Sequence, residues 1–232
     1  MAGLASPGAV RIIATVHQPR QWLLIGINLT ARLVAWLSFG LCFRVERRGM
    51  RNLPRTGGVL VISNHISWFD PPLLNIALRR IPHWLAMMEL FQSKFTHWFF
   101  TRAGVIPIDR GQPGSAPLKE AIRRLRAGHV VVLFPEGGIQ DGPRSVLGGD
   151  PVIKEGAALI ALKAGVPIMP AIIEGARQAY VGRNWFFRRC AIRLTLGKPF
   201  RIEGATNRAA VHALMREKLL ALAAEVKSQS NR

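Results

Sequence analysis

The sequence predicts an α/β fold, a mostly parallel central sheet flanked by helices, with an N-terminal membrane-associated helical segment. Three observations predict it. From Arg44 onward, short apolar runs such as "GGVLVIS" and "HVVVLFPEGG" alternate with helical stretches, as expected for strands covered on both faces by crossover helices. Before that point "WLLIGINLTARLVAWLSFGLCF", Trp22 to Phe43, is apolar throughout with one charge, Arg32. A chain of 232 residues is long enough for one well-buried core and short for two. The expected division is 1–43 as a membrane-associating segment and 44–232 as one α/β domain.

The elements follow in order. If helical, the first apolar run reaches about 33 Å at about 1.5 Å per residue, enough for a hydrocarbon core of about 30 Å. A central arginine is expensive in a spanning helix, at about 2.5–3.5 kcal/mol. The run is therefore expected to lie in the interface, bend back or snorkel its charge, with a buried soluble helix as the alternative. It starts late and ends without a small-residue cleavage site, which argues against a signal peptide. "RVERRGMR" follows it as a basic flank on the cytoplasmic side, at headgroup level. "GGVLVIS" is a buried strand. Asp70 is the expected N-cap of "PPLLNIALRR", with Pro71 at the first helical position. "GVIPIDR" is a short strand. Ser115 and Gly128 bracket the helix "SAPLKEAIRRLRAG". "HVVVLFPEGG", "VPIMPAII" and "RCAIRLTLG" are further strands. "KEGAALIALKAG" is a helix closed by Gly165, and a long amphipathic helix capped by Thr206 ends the domain.

Composition narrows the partners. The chain is 49% hydrophobic and carries a net charge of +19, from 32 basic and 13 acidic residues. A surface that meets anions, joined to a segment that meets hydrocarbon, fits a phospholipid membrane. A basic nucleic-acid-binding module is the other class with this charge, but no readable motif interleaves basic and aromatic residues. Cys42 and Cys190 form no framework, so both read as inert thiols in a reducing compartment. No compact metal-site spacing occurs.

Polar clusters end three apolar strands: "NHISWFD", "PIDR" and "FPEGG". Ligands collect at the carboxyl ends of strands in open α/β sheets, so these exits are candidates for one site. His65 and Asp70, five apart, lie about 140° from each other on a regular helix and cannot meet there. They can meet if His65 leaves a strand and Asp70 begins a helix. The carboxylate then fixes one imidazole tautomer and leaves the other nitrogen to take a proton from an alcohol. The competing reading is a capping aspartate beside an unrelated surface histidine. "HWLAMMELFQSKFTHWFF" is rich in aromatics and methionine, suited to ordinary core packing, an acyl tunnel or lipid contact.

"NHISWFD" resembles the Asn-His-x4-Asp motif of glycerolipid acyltransferases, a family that includes 1-acylglycerol-3-phosphate acyltransferases. "GVIPIDR", "FPEGG" and "VPIMPAII" are similar to its other three blocks and occur in the same order between Arg44 and Phe200. The resemblance implies acyl transfer from acyl-CoA or acyl-carrier protein to the hydroxyl of a lysophospholipid, with no further cofactor and no metal. It implies His65 as general base and Asp70 as its orienting partner. It also implies Asn64, Arg110, Glu136, Gly137 and Gly138 as substrate-binding residues, at the cytoplasmic face of the inner membrane. No G-x-S-x-G elbow is present, in keeping with direct attack without an acyl-enzyme. The chain departs from the family where Thr-Arg-Ser normally follows Phe-Pro-Glu-Gly: Gly138, Ile139 and Gln140 stand there. Arg144, in the longer loop that follows, is the candidate replacement for the missing phosphate contact. The same departure leaves a glycolipid or an amino-lipid as alternative acceptors.

Overall fold

The computed structural model describes residues 21–109, 114–140, 142–181, 186–187, 190–203 and 207–230. Helix α1 (Gln21–Cys42) runs directly into strand β1 (Phe43–Arg48), and β2 (Val59–Ser63) follows a short 3-10 turn. Next come α2 (Asp70–Ala77), β3 (Pro82–Met87), α3 (Lys94–Arg102), β4 (Ile106–Ile108), α4 (Ser115–Arg126) and β5 (Val130–Leu133). The chain continues through α5 (Glu155–Ala164), β6 (Ile168–Glu174), β7 (Tyr180–Val181), β8 (Phe186–Phe187), β9 (Cys190–Leu196) and α6 (Arg208–Ser230).

Seven strands form one sheet in the order β1-β9-β6-β2-β5-β3-β4, and β7 and β8 pair as a small antiparallel ladder. The five strands from β6 to β4 are mutually parallel. Strand β9 runs antiparallel to β6, and β1 lies parallel to β9. The expected mostly parallel sheet is therefore present, with a reversed pair at one edge. Alternation along β2 divides the core: Val59 and Val61 pack with Leu73 and Leu74 of α2, while Leu60 and Ile62 pack with α4, α5 and α6. All five β2 residues are buried, as a central strand covered on both faces requires.

Several sequence expectations are corrected in detail. The basic run "RVERRGMR" contributes the edge strand β1, whose Glu46 pairs with Arg44, Arg48 and Arg193. The aromatic run after Pro82 hides strand β3 and helix α3, which Ser93 and Thr96 open with a reciprocal capping box. Helix α2 has Phe69 at its N-cap position, so Asp70 lies one residue inside the helix and its side chain does not cap it. Gly114 likewise precedes α4, and Ser115 is its first helical residue. Asn207 caps α6 by accepting the Ala210 N–H at 2.8 Å; the expected cap Thr206 lies outside the described residues.

Helix α1 packs against α2, α3 and β1. Its inner face is the polar one: Asn28 is buried, and the Arg32 guanidinium donates to the Leu78 carbonyl at the end of α2. Its outer face carries Ile25, Leu29, Leu33, Val34, Trp36 and Leu37, all exposed. Among the described residues no helix is long and apolar enough to cross a membrane.

Candidate active site

Because β2 and β5 are adjacent and parallel, their carboxyl ends open on the same rim of the sheet. Asn64 and His65 leave β2 there, and Phe134, Pro135 and Glu136 leave β5. Asn64 is fully buried, and both ends of its amide are engaged by one residue of β6: it donates to the Ile173 carbonyl at 2.9 Å and accepts the Ile173 N–H at 2.8 Å. That peptide-like pair extends the β2–β6 ladder by one rung and fixes the point at which the chain turns into the site.

His65 is then held from three sides. Its Nδ1 lies 2.8 Å from Oδ2 of Asp70, whose side chain is wholly buried. The same oxygen accepts the backbone N–H groups of Ile66 at 2.7 Å and Ser67 at 2.8 Å. The short loop thus folds around the carboxylate, and this is how residues five apart meet. With a carboxylate as acceptor, Nδ1 carries the proton and Nε2 keeps its lone pair. Phe134 stacks on the imidazole at a centroid distance of 4.2 Å and 17° between planes, and Trp84 stacks behind Phe134 at 6.1 Å. The ring plane is therefore set by packing as well as by hydrogen bonding.

Glu136 fixes the backbone of the same histidine. Its Oε2 accepts the His65 N–H at 2.8 Å, and its Oε1 accepts the Val146 N–H at 2.8 Å. The Gln140 N–H donates to the His65 carbonyl at 2.8 Å, closing the segment over the strand end. Burial raises the Glu136 pKa above the usual carboxylate value, and the N–H donors of Val146 and His65 oppose that rise. One carboxylate thereby joins the histidine to the loop after "FPEGG". That loop is internally ordered: Ser145 Oγ donates to the Gly142 carbonyl at 2.7 Å and accepts the Gly148 N–H at 2.9 Å.

Gly137 has φ 76°, and a Cβ there would come within 3.0 Å of the Lys154 side chain. Glycine therefore permits both the left-handed turn and the close passage of Lys154. Gly138, half-buried, completes the turn. Arg144 and Lys154 line one groove beside Glu136 and Gln140. Of the predicted residues, the structure thus brings His65, Asp70, Asn64, Glu136, Gly137, Gly138 and Arg144 to one rim. Arg110 lies outside the described residues. The preceding residue, Asp109, leaves β4, which β3 separates from β5 by two strand spacings, about 10 Å.

Sequence reasoning missed three participants. Phe134 was visible only as the first letter of a block, with no cue that its ring would face His65. Lys154 sits at the start of a helix fourteen residues beyond Gln140, and only the folded loop returns it to the groove. The Gln140 backbone contact carries no side-chain signal at all. Among the described residues no cluster of His, Cys, Asp and Glu has metal-site geometry.

The Acyltransferase family model matches residues 44–174, the stretch that holds every site residue described above. The chain belongs to the acyltransferase family. Over 149 residues it is 30% identical to the 1-acyl-sn-glycerol-3-phosphate acyltransferase of Bacillus subtilis, covering 64% of this chain and 69% of that protein. It is also 30% identical over 154 residues to the lyso-ornithine lipid O-acyltransferase of Pseudomonas aeruginosa, covering 64% of this chain and 56% of that protein. The fold is that of the 1-acyl-sn-glycerophosphate (LPA) acyltransferase PlsC from Thermotoga maritima. The TM-score is 0.68 at 22% identity, over 93% of this chain and 88% of that one. In this acyltransferase the His65–Asp70 pair lies at the sheet rim, within the stretch that the family model matches.

Proposed function

We propose that this acyltransferase moves a fatty acyl group from acyl-CoA or acyl-carrier protein to the hydroxyl of 1-acylglycerol-3-phosphate at a membrane surface. The observation that carries the reading is the His65–Asp70 contact, with Nε2 left as the free basic nitrogen. The acceptor O–H gives its proton to His65 Nε2 while its oxygen attacks the thioester carbonyl. Asp70 balances the imidazolium that forms. The tetrahedral intermediate collapses, the C–S bond breaks, and the leaving sulfur takes the proton back from His65. An ester and a free thiol result.

Arg144 and Lys154 are the acceptor-phosphate contacts in this reading. They supply two positive charges to the groove beside Glu136, where the family's Thr-Arg is absent. A charge-assisted contact to phosphate is worth about 1.5–3 kcal/mol. Arg144→Ala and Lys154→Ala are each expected to raise the acceptor KM about tenfold or more and to leave the donor KM nearly unchanged.

The relative that acts on lyso-ornithine lipid supports a second acceptor class, a phosphate-free amino-lipid. Lysophosphatidate and lyso-ornithine lipid offered side by side, with products identified by mass spectrometry, decide between them. Preference for lysophosphatidate that is lost in Arg144→Ala and Lys154→Ala supports the proposal. Equal or better use of the phosphate-free acceptor by all three proteins overturns it and leaves the role of His65 standing.

A further inference from the structure

At the opposite rim, where the strands begin, a second pocket is lined by Arg51, Leu53, Pro54, Arg55, Arg79 and Arg80. Four guanidinium groups thus surround one cavity. None of the four forms an ion pair with a carboxylate among the described residues, whereas Glu46 alone draws three arginines at the neighbouring sheet edge. Arg80 is the fixed member: its two terminal nitrogens donate to the Pro54 and Gly128 carbonyls, tying the loop before β2 to the end of α4. Burial lowers the pKa of Arg80 from its ordinary value. Arg51, Arg55 and Arg79 are exposed. Concentrated like charge in a concave site costs free energy unless an anion enters it.

The neighbourhood says which anion. Arg79 follows Leu78, whose carbonyl receives Arg32 from the inner face of α1. Within about two turns of Arg32, α1 exposes Ile25, Leu29, Leu33, Trp36 and Leu37. A cationic pocket whose Arg79 adjoins the contact of α1, a helix that carries an exposed apolar stripe, matches a molecule with phosphate at one end and hydrocarbon at the other. The acceptor of the transfer reaction does not fit here. Strand β2 alone spans five residues, about 17 Å, between this rim and His65. In a lysophosphatidate the phosphate and the reacting hydroxyl are only a few bonds apart.

We propose that the four-arginine pocket is a second anion site, which receives the phosphate of an anionic membrane phospholipid and holds α1 against the bilayer. The test is flotation of the full chain with two kinds of vesicle, pure phosphatidylcholine and phosphatidylcholine mixed with phosphatidylglycerol. Arg55→Ala/Arg79→Ala removes two exposed guanidinium groups that hold no hydrogen bond among the described residues. It should weaken binding to the anionic vesicles by about 30-fold and each single variant by about 5-fold, with binding to phosphatidylcholine unchanged. Lys163→Ala/Lys227→Ala removes the same charge from α5 and α6, on the other face of the sheet, and should cost less than about 3-fold. Thermal melts of each variant check the fold.

Equal losses in the two double variants would show a diffuse charge effect and overturn the site. Undiminished anionic binding in Arg55→Ala/Arg79→Ala overturns it outright. Tight binding of inorganic phosphate that abolishes the phosphatidylglycerol preference assigns the pocket to a soluble anion and overturns the lipid source. Capture of acyl-carrier protein that is lost in Arg55→Ala/Arg79→Ala, with vesicle binding intact, also overturns it. The acceptor KM with detergent-dispersed substrate should not move in this double variant, because His65 and its groove lie at the other rim. A raised acceptor KM would merge the two sites and sink the proposal.

Discussion

A single oxygen, Oδ2 of Asp70, accepts from two backbone N–H groups and faces Nδ1 of His65. Asparagine at this position can still point an oxygen at those donors but carries no charge to balance an imidazolium. Asp70→Asn is therefore expected to fold normally and lose most of its turnover, and His65→Ala to lose the full general-base contribution, about 10²–10⁴-fold. A folded His65→Ala protein that acylates at the wild-type rate would remove the mechanism. Glu136 behaves differently, since both of its oxygens accept backbone N–H groups and neither is positioned as a base. In Glu136→Gln one of those donors meets an amide NH₂, and a buried N–H without an acceptor costs about 1–3 kcal/mol. Urea melts should show that loss, with reduced turnover because either His65 or the Val146 loop is released. The His–Asp contact was legible in the sequence because it is local, a loop of four residues between a strand end and a helix start. The Glu136 bridge was not legible, because a carboxylate gives no sign that its partners are backbone groups of other segments.

Beneath α4 lies a polar cluster that no sequence pattern announced. Arg124, almost fully buried, bonds to Glu120 and donates to the Gly104 carbonyl and to Nδ1 of His83 at 2.6 Å. It thereby ties α4 to β3 and to the turn before β4. Burial, then the charge of Arg124, lower the His83 pKa to about 3 from the model-peptide value of 6.5. The unfolded chain protonates this residue below pH 6.5 and the folded chain does not. The stability it contributes is complete above pH 6.5 and is lost as the pH falls toward about 3, at up to about 1.4 kcal/mol per pH unit. His129, its ring 4.7 Å away and its pKa also lowered by burial, acts in the same direction. Thermal melts across this range should steepen accordingly, and His83→Gln should flatten the dependence; an unchanged slope would refute the assignment. The strands that sequence missed have equally physical reasons. Strand β1 is an edge strand whose arginines break the apolar pattern, and β3 begins with Pro82 and merges into an aromatic run without a turn signal. The reversed direction of β9 is invisible because an apolar run carries no sign of polarity relative to its neighbour.

Seen as a whole, the molecule has one surface turned inside out. On α1 the polar side chains Asn28 and Arg32 face the protein, while Leu29, Leu33 and Trp36 are exposed at 56%, 57% and 58%. Trp68, in the loop between His65 and Asp70, and Phe95 and Trp98 on α3 are exposed as well, and α3 packs beside α1. Clustered large apolar side chains of this kind mark a contact with another apolar phase. A helix lying in the interface would account for Arg32 without insertion of a charge: the guanidinium bonds to the Leu78 carbonyl, and only the outer stripe would enter lipid. Leu29→Gln/Leu33→Gln/Trp36→Gln alters positions that are more than half exposed, so the melting temperature should change little. Half-exposed side chains of this size are worth about 1 kcal/mol each on transfer to lipid, which predicts about a 100-fold loss of binding to phosphatidylcholine vesicles. High salt should not reproduce that loss, because screening weakens the arginine contacts and leaves the apolar ones intact. Flotation of wild type and variant at low and high salt separates the two contributions. A wild-type protein that remains wholly with the aqueous fraction at low salt, in the presence of either vesicle, contradicts membrane binding through this face.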